Sequence, residues 1–237
     1  MAGYLCVLLL MIAGQRSNAQ LNPPMGTSQW KYVTPFQYGF VVNDMSFVDN
    51  NNGLAVSNTG AIAKSTDGGY NWQYIFYKYV SATNQVTMAS FNDVHFVTPS
   101  VAYAVAFSGV MIKSTDGGIN WTRLVTPLTP LNKNINALHF INKDTGYIAG
   151  PAINTTNTTN INDAPKIYVT RDGGASWDSL VTPFVRQETN ASLNWNNNKE
   201  IYRLYFANDS VGYASGTAGL LWKIEKNVIT DYSLHRS

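Results

Sequence analysis

Cysteine is nearly missing: the 237 residues contain one, Cys6. A disulfide framework and a cysteine-based metal site are thereby excluded. Charge is also scarce, with Asp, Glu, Lys and Arg together at 13% and a formal net charge of +2. The 16 basic residues are scattered rather than clustered, so the electrostatic footprint of a nucleic-acid binder is lacking and no nucleic-acid partner is expected. Long apolar runs are missing beyond the start of the chain, which removes any transmembrane segment from the reading. There is no G-x-S-x-G elbow and no P-loop. Two of the three histidines, His95 and His139, fall at one repeated strand position, and His235 lies near the C-terminus. A Ser-His-Asp arrangement has no support.

What is abundant points one way. Aromatics reach 13%, with 14 Tyr and 6 Trp, a mix that suits strands joined by polar turns. The opening stretch MAGYLCVLLLMIAGQRSNAQ carries an apolar run, Tyr4 to Ala13, followed by small residues up to Ala19. It has the layout of an export signal covering residues 1–19, although its n-region lacks Lys and Arg. The mature chain, 20–237, is expected in the periplasm, at the cell surface or outside the cell. It would contain no thiol, because Cys6 lies in the removed segment.

The mature chain repeats itself. STDGGYNW (Ser65 to Trp72) returns as STDGGINW (Ser114 to Trp121) and as TRDGGASW (Thr170 to Trp177). Ahead of each box stands an alternating stretch with a fixed phenylalanine: Phe47, Phe96, Phe140 and, in a fourth unit, Phe206. A small-and-apolar stretch follows (GLAVS, AYAVA, GYIAG, GYASG) and then a third strand (AIAKS, VMIKS, IYVTR, LLWKI). WTRLVTP and WDSLVTP supply fourth strands, and WQYIFYKYV occupies the same place after the first box. Four strands per unit at a spacing of about 40 to 60 residues predict a β-propeller of four-stranded antiparallel blades. The blades are expected at about 43–80, 92–127, 136–183 and 201–226, the last without a box. WKYVTP at 30–35 matches a fourth strand that no box precedes, and is expected to close the ring.

The boxes Asp67-Gly68-Gly69-x-x-Trp72, Asp116-Gly117-Gly118-x-x-Trp121 and Asp172-Gly173-Gly174-x-x-Trp177 resemble the Asp-box, or bacterial neuraminidase repeat. The full pattern, with its fixed Phe and the I-x-K-S-T-D-G-G-x-N-W run, resembles the photosystem II assembly-factor-like branch of these propellers. That resemblance implies a scaffold that binds a partner protein. Because Asp-box propellers usually have six or more blades, it also sets a longer propeller beside a closed four-bladed ring.

Physically the box is a turn: the Gly pair supplies positive φ and the carboxylate accepts backbone N–H groups. Its Asp residues are expected at the blade periphery, with neither catalytic nor metal-binding duty, since each loop offers a single carboxylate. No cofactor is expected.

Similarity to Asp-box enzymes raises two rivals. A sialidase needs three converging arginines, but Arg171 lies in a box and Arg123 on a fourth strand. A xyloglucanase-like hydrolase needs two facing aspartates. Asp44 and Asp93, three residues before their fixed phenylalanines, occupy one repeat position and are the candidate acid and base. The alternative reading makes them caps at the strand start. For partner binding, Trp195 in a polar loop and Arg203 are the candidates. The expectation is an exported, non-enzymatic scaffold for a protein or glycan partner.

Overall fold

Each repeat folds as one four-stranded antiparallel sheet whose strands run in chain order. The computed structural model describes residues 40–80, 86–152, 165–183 and 200–232, all within one compact unit, Thr34–Ser237. The export segment 1–19, the strand expected at 30–35, most of the Asn/Thr-rich insertion after Ala152, and Trp195 lie outside the described residues.

Blade one comprises β1 (Val42–Phe47), β2 (Gly53–Ser57), β3 (Ala61–Ser65) and β4 (Gln73–Phe76). A two-stranded ribbon follows, β5 (Lys78–Val80) with β6 (Val86–Met88). Blade two holds β7 (Phe91–Phe96), β8 (Ala102–Ala106), β9 (Met111–Ser114) and β10 (Thr122–Leu124). Blade three holds β11 (Ala137–Phe140), β12 (Gly146–Ala152), β13 (Pro165–Thr170) and β14 (Asp178–Ser179). Blade four holds β15 (Ile201–Asn208), β16 (Val211–Gly216), β17 (Leu221–Glu225) and β18 (Val228–Asp231).

Strand β18 was not expected from the sequence, which placed the end of this blade near residue 226. The signal is short: Lys226 and Asn227 both take positive φ, 49° and 66°. They form the two-residue connection that a tight hairpin requires. A second departure is WQYIFYKYV, which splits between β4 and β5 instead of making one strand.

The first strands follow one another, β1 against β7, β7 against β11, and β11 against β15. Among the described residues, β1 and β15 do not pack on each other as consecutive first strands do. The core lies between the blades. Leu54, Val56 and Ile62 of blade one pack with Val94, Phe96, Ala104 and Ile112 of blade two. Tyr103, Val105 and Met111 meet Leu138, Phe140 and Ile148, and Tyr147, Ala149 and Val169 meet Leu204, Phe206 and Trp222.

Alternation along β8 explains the composition. Ala102 and Ala104 face the preceding blade while Tyr103 and Val105 face the next one. Both faces are buried, so the strand reads as an unbroken apolar run. Each fully buried large side chain contributes about 1.5–3 kcal/mol, and these contacts bind blade to blade. A small residue opposite each fixed Phe completes the fit. Phe140 pairs across the ladder with Gly146, where a Cβ would stand 2.4 Å from the ring; Phe96 faces Ala102 instead.

The boxes join third to fourth strands, and their glycines are conformationally required. Gly118 has φ +89°, and a Cβ there would sit 2.7 Å from Leu54 Cδ2 on the neighbouring blade. Among the described residues no helix is long and apolar enough to cross a membrane. Gly118→Ala should cost about 1–3 kcal/mol, combining left-handed strain with displacement of Leu54. A urea midpoint that falls at constant m-value is the expected readout; an unchanged midpoint would contradict the turn assignment.

Candidate functional site

A first strand is an edge strand. Every second N–H of β7, β11 and β15 points away from its own sheet and needs a partner. Neighbouring first strands belong to separate sheets and do not pair through their backbones, and side chains of the preceding blade reach across instead. Asp44 Oδ2 accepts the Val94 N–H at 3.0 Å, and Ser46 Oγ accepts the Phe96 N–H at 2.9 Å. One blade further on, Asp93 Oδ2 accepts the Leu138 N–H at 3.0 Å, and His95 Nδ1 accepts the Phe140 N–H at 2.9 Å. Carbonyls are treated alike: Asn43 Nδ2 donates to Phe91 O at 2.6 Å, and Asn92 Nδ2 to Ile135 O at 2.8 Å.

The stitching changes at the third junction. Ala137 stands where the aspartates stood and has nothing to offer an amide. Asn136 Nδ2 donates to the Glu200 carboxylate at 2.9 Å. The His139 ring packs on Phe206 and Tyr205, with centroids 5.4 and 6.1 Å away.

The structure therefore does bring Asp44 and Asp93 together. It does not leave both solvated, as simple capping at the start of a strand would. Asp93 is buried, and burial is the main force holding its carboxyl well above the usual carboxylate range. The Asp44 charge and a hydrogen bond between the two carboxyls push the same way, while the Leu138 N–H and Arg203 oppose them.

This geometry argues against the hydrolase reading. Glycosidases hold their carboxyls roughly 5–9.5 Å apart, with substrate or water between them. Here an oxygen of each carboxyl is committed to a backbone amide of the following blade, and the two groups lie close enough for the Asp44 charge to act on Asp93.

His95 accepts through Nδ1, so its proton resides on Nε2. Burial, then the neighbouring His139, lowers its pKa to about 4. The two imidazoles lie 4.8 Å apart, and burial lowers His139 as well.

The box aspartates behave as turn formers. Ser65 Oγ donates to Asp67 Oδ1 at 2.9 Å, while Asp67 accepts the Asn71 N–H at 2.9 Å and Asn71 Nδ2 at 2.6 Å. Asp116 repeats these bonds with Ser114 and Asn120, and Asp172 with Thr170 and Ser176. All three carboxylates are held below the usual range, Asp116 at about 2, by hydrogen bonds led by those from Asn71, Asn120 and Ser176. They are ionised, with Asp116 and Asp172 exposed and Asp67 half-buried, a poor state for proton transfer at neutral pH. The second glycine of each box donates its N–H to the Ser or Thr hydroxyl at 2.8 Å. The first glycine donates to the turn between the first and second strands of the same blade, to Asn51, Ser100 and Asp144 carbonyls.

The box tryptophans differ. Trp72 and Trp121 donate Nε1–H to the Gly69 and Gly118 carbonyls at 2.8 and 3.1 Å. Trp177 Nε1 is buried without a partner among the described residues.

Arg171 is ion-paired with Asp178 on the surface at 2.7 Å, Arg123 lies on β10, and Arg203 lies exposed on β15. Among the described residues no three His, Cys, Asp or Glu side chains cluster as a metal site. The caps Ser46 and His95 were not anticipated as functional groups. Their one signal was a shared position, one residue before the fixed Phe.

A family model described as photosynthesis system II assembly factor YCF48 matches residues 22–200. No match to a curated protein was found. Among solved structures, YCF48 from Cyanidioschyzon merolae is similar at 22% identity and a TM-score of 0.58, covering 87% of this chain and 60% of its own. The chain thus spans about 60% of that relative's length. A structure of YCF48 bound to D1 peptide gives 17% identity and a TM-score of 0.52, covering 88% of this chain and 71% of the other. The GH74 xyloglucanase from Xanthomonas campestris gives 14% and 0.55, covering 82% of this chain and 31% of the enzyme. At such identities these three show the β-propeller fold alone.

The raised Asp93 and the lowered His95 set a pH signature. Raised in the fold, Asp93 favours folding at acid pH, and that contribution is lost as pH rises through its folded value. Lowered His95 favours folding at neutral pH, and its contribution is lost as pH falls from about 6.5 towards 4. Asp93→Asn keeps an acceptor for Leu138 and removes the carboxyl repulsion, so its stability relative to wild type should grow between pH 5 and 7.5. Asp93→Ala orphans the Leu138 N–H and should lose about 1–3 kcal/mol. Urea midpoints at both pH values check this; equal losses in Asn and Ala variants at pH 7.5 would contradict it.

Proposed function

Because the chain belongs to the family of the photosynthesis system II assembly factor YCF48, we propose that it is a non-enzymatic binding and assembly scaffold for a polypeptide partner. The observation that carries this reading is the fate of the carboxylates. Asp44 and Asp93 are spent on backbone amides of the following blade, and the box aspartates close their own turns. What these groups build is a rigid support on which loops and strand edges are presented.

A polypeptide fits better than a glycan on two grounds. A similar fold has been solved with a D1 peptide bound. The side chains left over on β15 include an exposed guanidinium, Arg203, beside exposed Tyr202 and Tyr205. At this repeat position the first two blades carry their capping aspartates. Arg203 brings several N–H donors in a planar fork suited to carboxylates and peptide carbonyls, and aromatic and Arg side chains are the usual anchors of protein interfaces.

Labelled D1 peptide is the probe. Saturable binding in fluorescence anisotropy is expected, weakened roughly tenfold in Arg203→Ala. Incubation with xyloglucan should release no oligosaccharide. Absence of saturable peptide binding would count against the scaffold reading, and oligosaccharide release lost in Asp93→Asn would replace it with the hydrolase.

A further inference from the structure

The residue one before the fixed Phe decides how a junction between blades answers acid. Phe96 and Phe140 occupy one repeat position, and each donates its N–H to a side chain of the preceding blade. At the junction of blades one and two the acceptor is the Ser46 hydroxyl, 2.9 Å away. At the junction of blades two and three it is His95 Nδ1, also at 2.9 Å. A hydroxyl accepts whatever the pH. An imidazole accepts only while neutral; once protonated, both ring nitrogens carry hydrogen, and Nδ1 faces the amide as a second donor.

A second imidazole sharpens the contrast. His139 lies 4.8 Å from His95, centroid to centroid, and both rings are half-buried, so two imidazolium ions there repel each other with little water between them. The other ionisable groups around the pair respond differently. Asp93 of β7 caps Leu138 and Asp44 of β1 caps Val94; a carboxyl keeps an accepting oxygen after protonation, so acid leaves these caps in place. Tyr103 of β8, the cross-strand partner of His95, is kept neutral chiefly by burial. Its ring stacks on Phe140 with centroids 3.6 Å apart, and its hydroxyl donates to the Lys143 and Gly173 carbonyls. Lys113 of β9 stands over that ring and donates to the same Gly173 carbonyl. On β15, Tyr205 lies against His139 and Arg203 acts on Asp93. Of all these contacts, the bond from Phe140 to His95 is the one that a proton turns into repulsion.

We propose that the junction of blades two and three is an acid-sensitive switch: protonation of the His95–His139 pair releases the Phe140 edge and loosens blade three from blade two, while the serine-capped junction of blades one and two stays closed. Phe140 also carries the stack with Tyr103, so loss of its amide cap reaches the aromatic packing of the same junction. Burial and the His139 charge hold His95 down to about 4, which keeps the junction closed at neutral pH and places its opening in acid.

Residue-resolved amide exchange of the full chain, followed from pH 7.5 into the acid range, tests it. Phe96 and Phe140 each follow a histidine, so their intrinsic exchange chemistry is alike and the ratio of their rates isolates protection. On acidification the Phe140 rate should rise roughly tenfold or more relative to that of Phe96. His95→Ser copies the cap of blade one and should keep Phe140 protected in acid. His139→Gln leaves the cap but removes the neighbouring charge, which should move the transition to higher pH. Long-range proton–nitrogen correlation spectra should show the His95 proton on Nε2 at pH 7.5, and protons on both nitrogens over the range in which Phe140 loses protection. A rate ratio that stays constant with pH, whether both amides remain protected or both open together, would overturn the proposal. So would an acid response retained in His95→Ser, or a transition that does not move up in His139→Gln.

Discussion

The structure depends on what happens to the backbone amides along the first strand of each blade. These strands have a sheet on one side only, and a buried or half-buried N–H without a partner costs about 1–3 kcal/mol. The solution is a repeated reach from one blade to the next. Asp44 and Ser46 cap Val94 and Phe96, and Asp93 and His95 cap Leu138 and Phe140. Because the donor and its cap sit on different blades, the same bonds that satisfy the edge also fix the angle and offset between sheets. Apolar packing between blades then has a defined register in which to form.

This arrangement has a chemical consequence. Two carboxyls at the same repeat position in adjacent blades are brought near each other, and the Asp44 charge adds to burial in raising Asp93. A raised carboxyl in the middle of a fold invites comparison with catalysis. Here its cause is structural: Asp93 is buried because it caps an amide, and Asp44 is close because blades repeat. The similar TM-scores to a YCF48 and to a xyloglucanase make the same point at the level of the fold. The propeller is common to both, and only the side chains separate a scaffold from a hydrolase.

Most of the architecture was legible in the sequence, since each blade announces itself through a fixed Phe, a small-residue strand and a box. The fourth strand of blade four was missed because its turn, Lys226-Asn227, reaches positive φ without glycine and looks like ordinary surface chemistry. The candidate aspartates were found, and capping was weighed for them, but within their own strand. That the cap acts on the following blade follows from how two separate sheets stand side by side, which no local pattern records. His95 was read as a strand residue and is one; its ring nitrogen as an amide acceptor needed the neighbouring Phe140 in place. The Tyr103–Phe140 stack was hidden for a similar reason, since its two rings belong to different repeats and only meet when Gly146 lets Phe140 lie flat.

Amide hydrogen exchange on the native protein measures the capping directly. If the side chains of the preceding blade hold the open edges, the Val94, Phe96, Leu138 and Phe140 amides are protected although no strand pairs with them on that side. In Asp44→Ala the protection of Val94 should fall while that of Phe96, held by Ser46, persists. Fast exchange at all four amides in the wild type, or a Val94 rate indifferent to the loss of Asp44, would contradict the account.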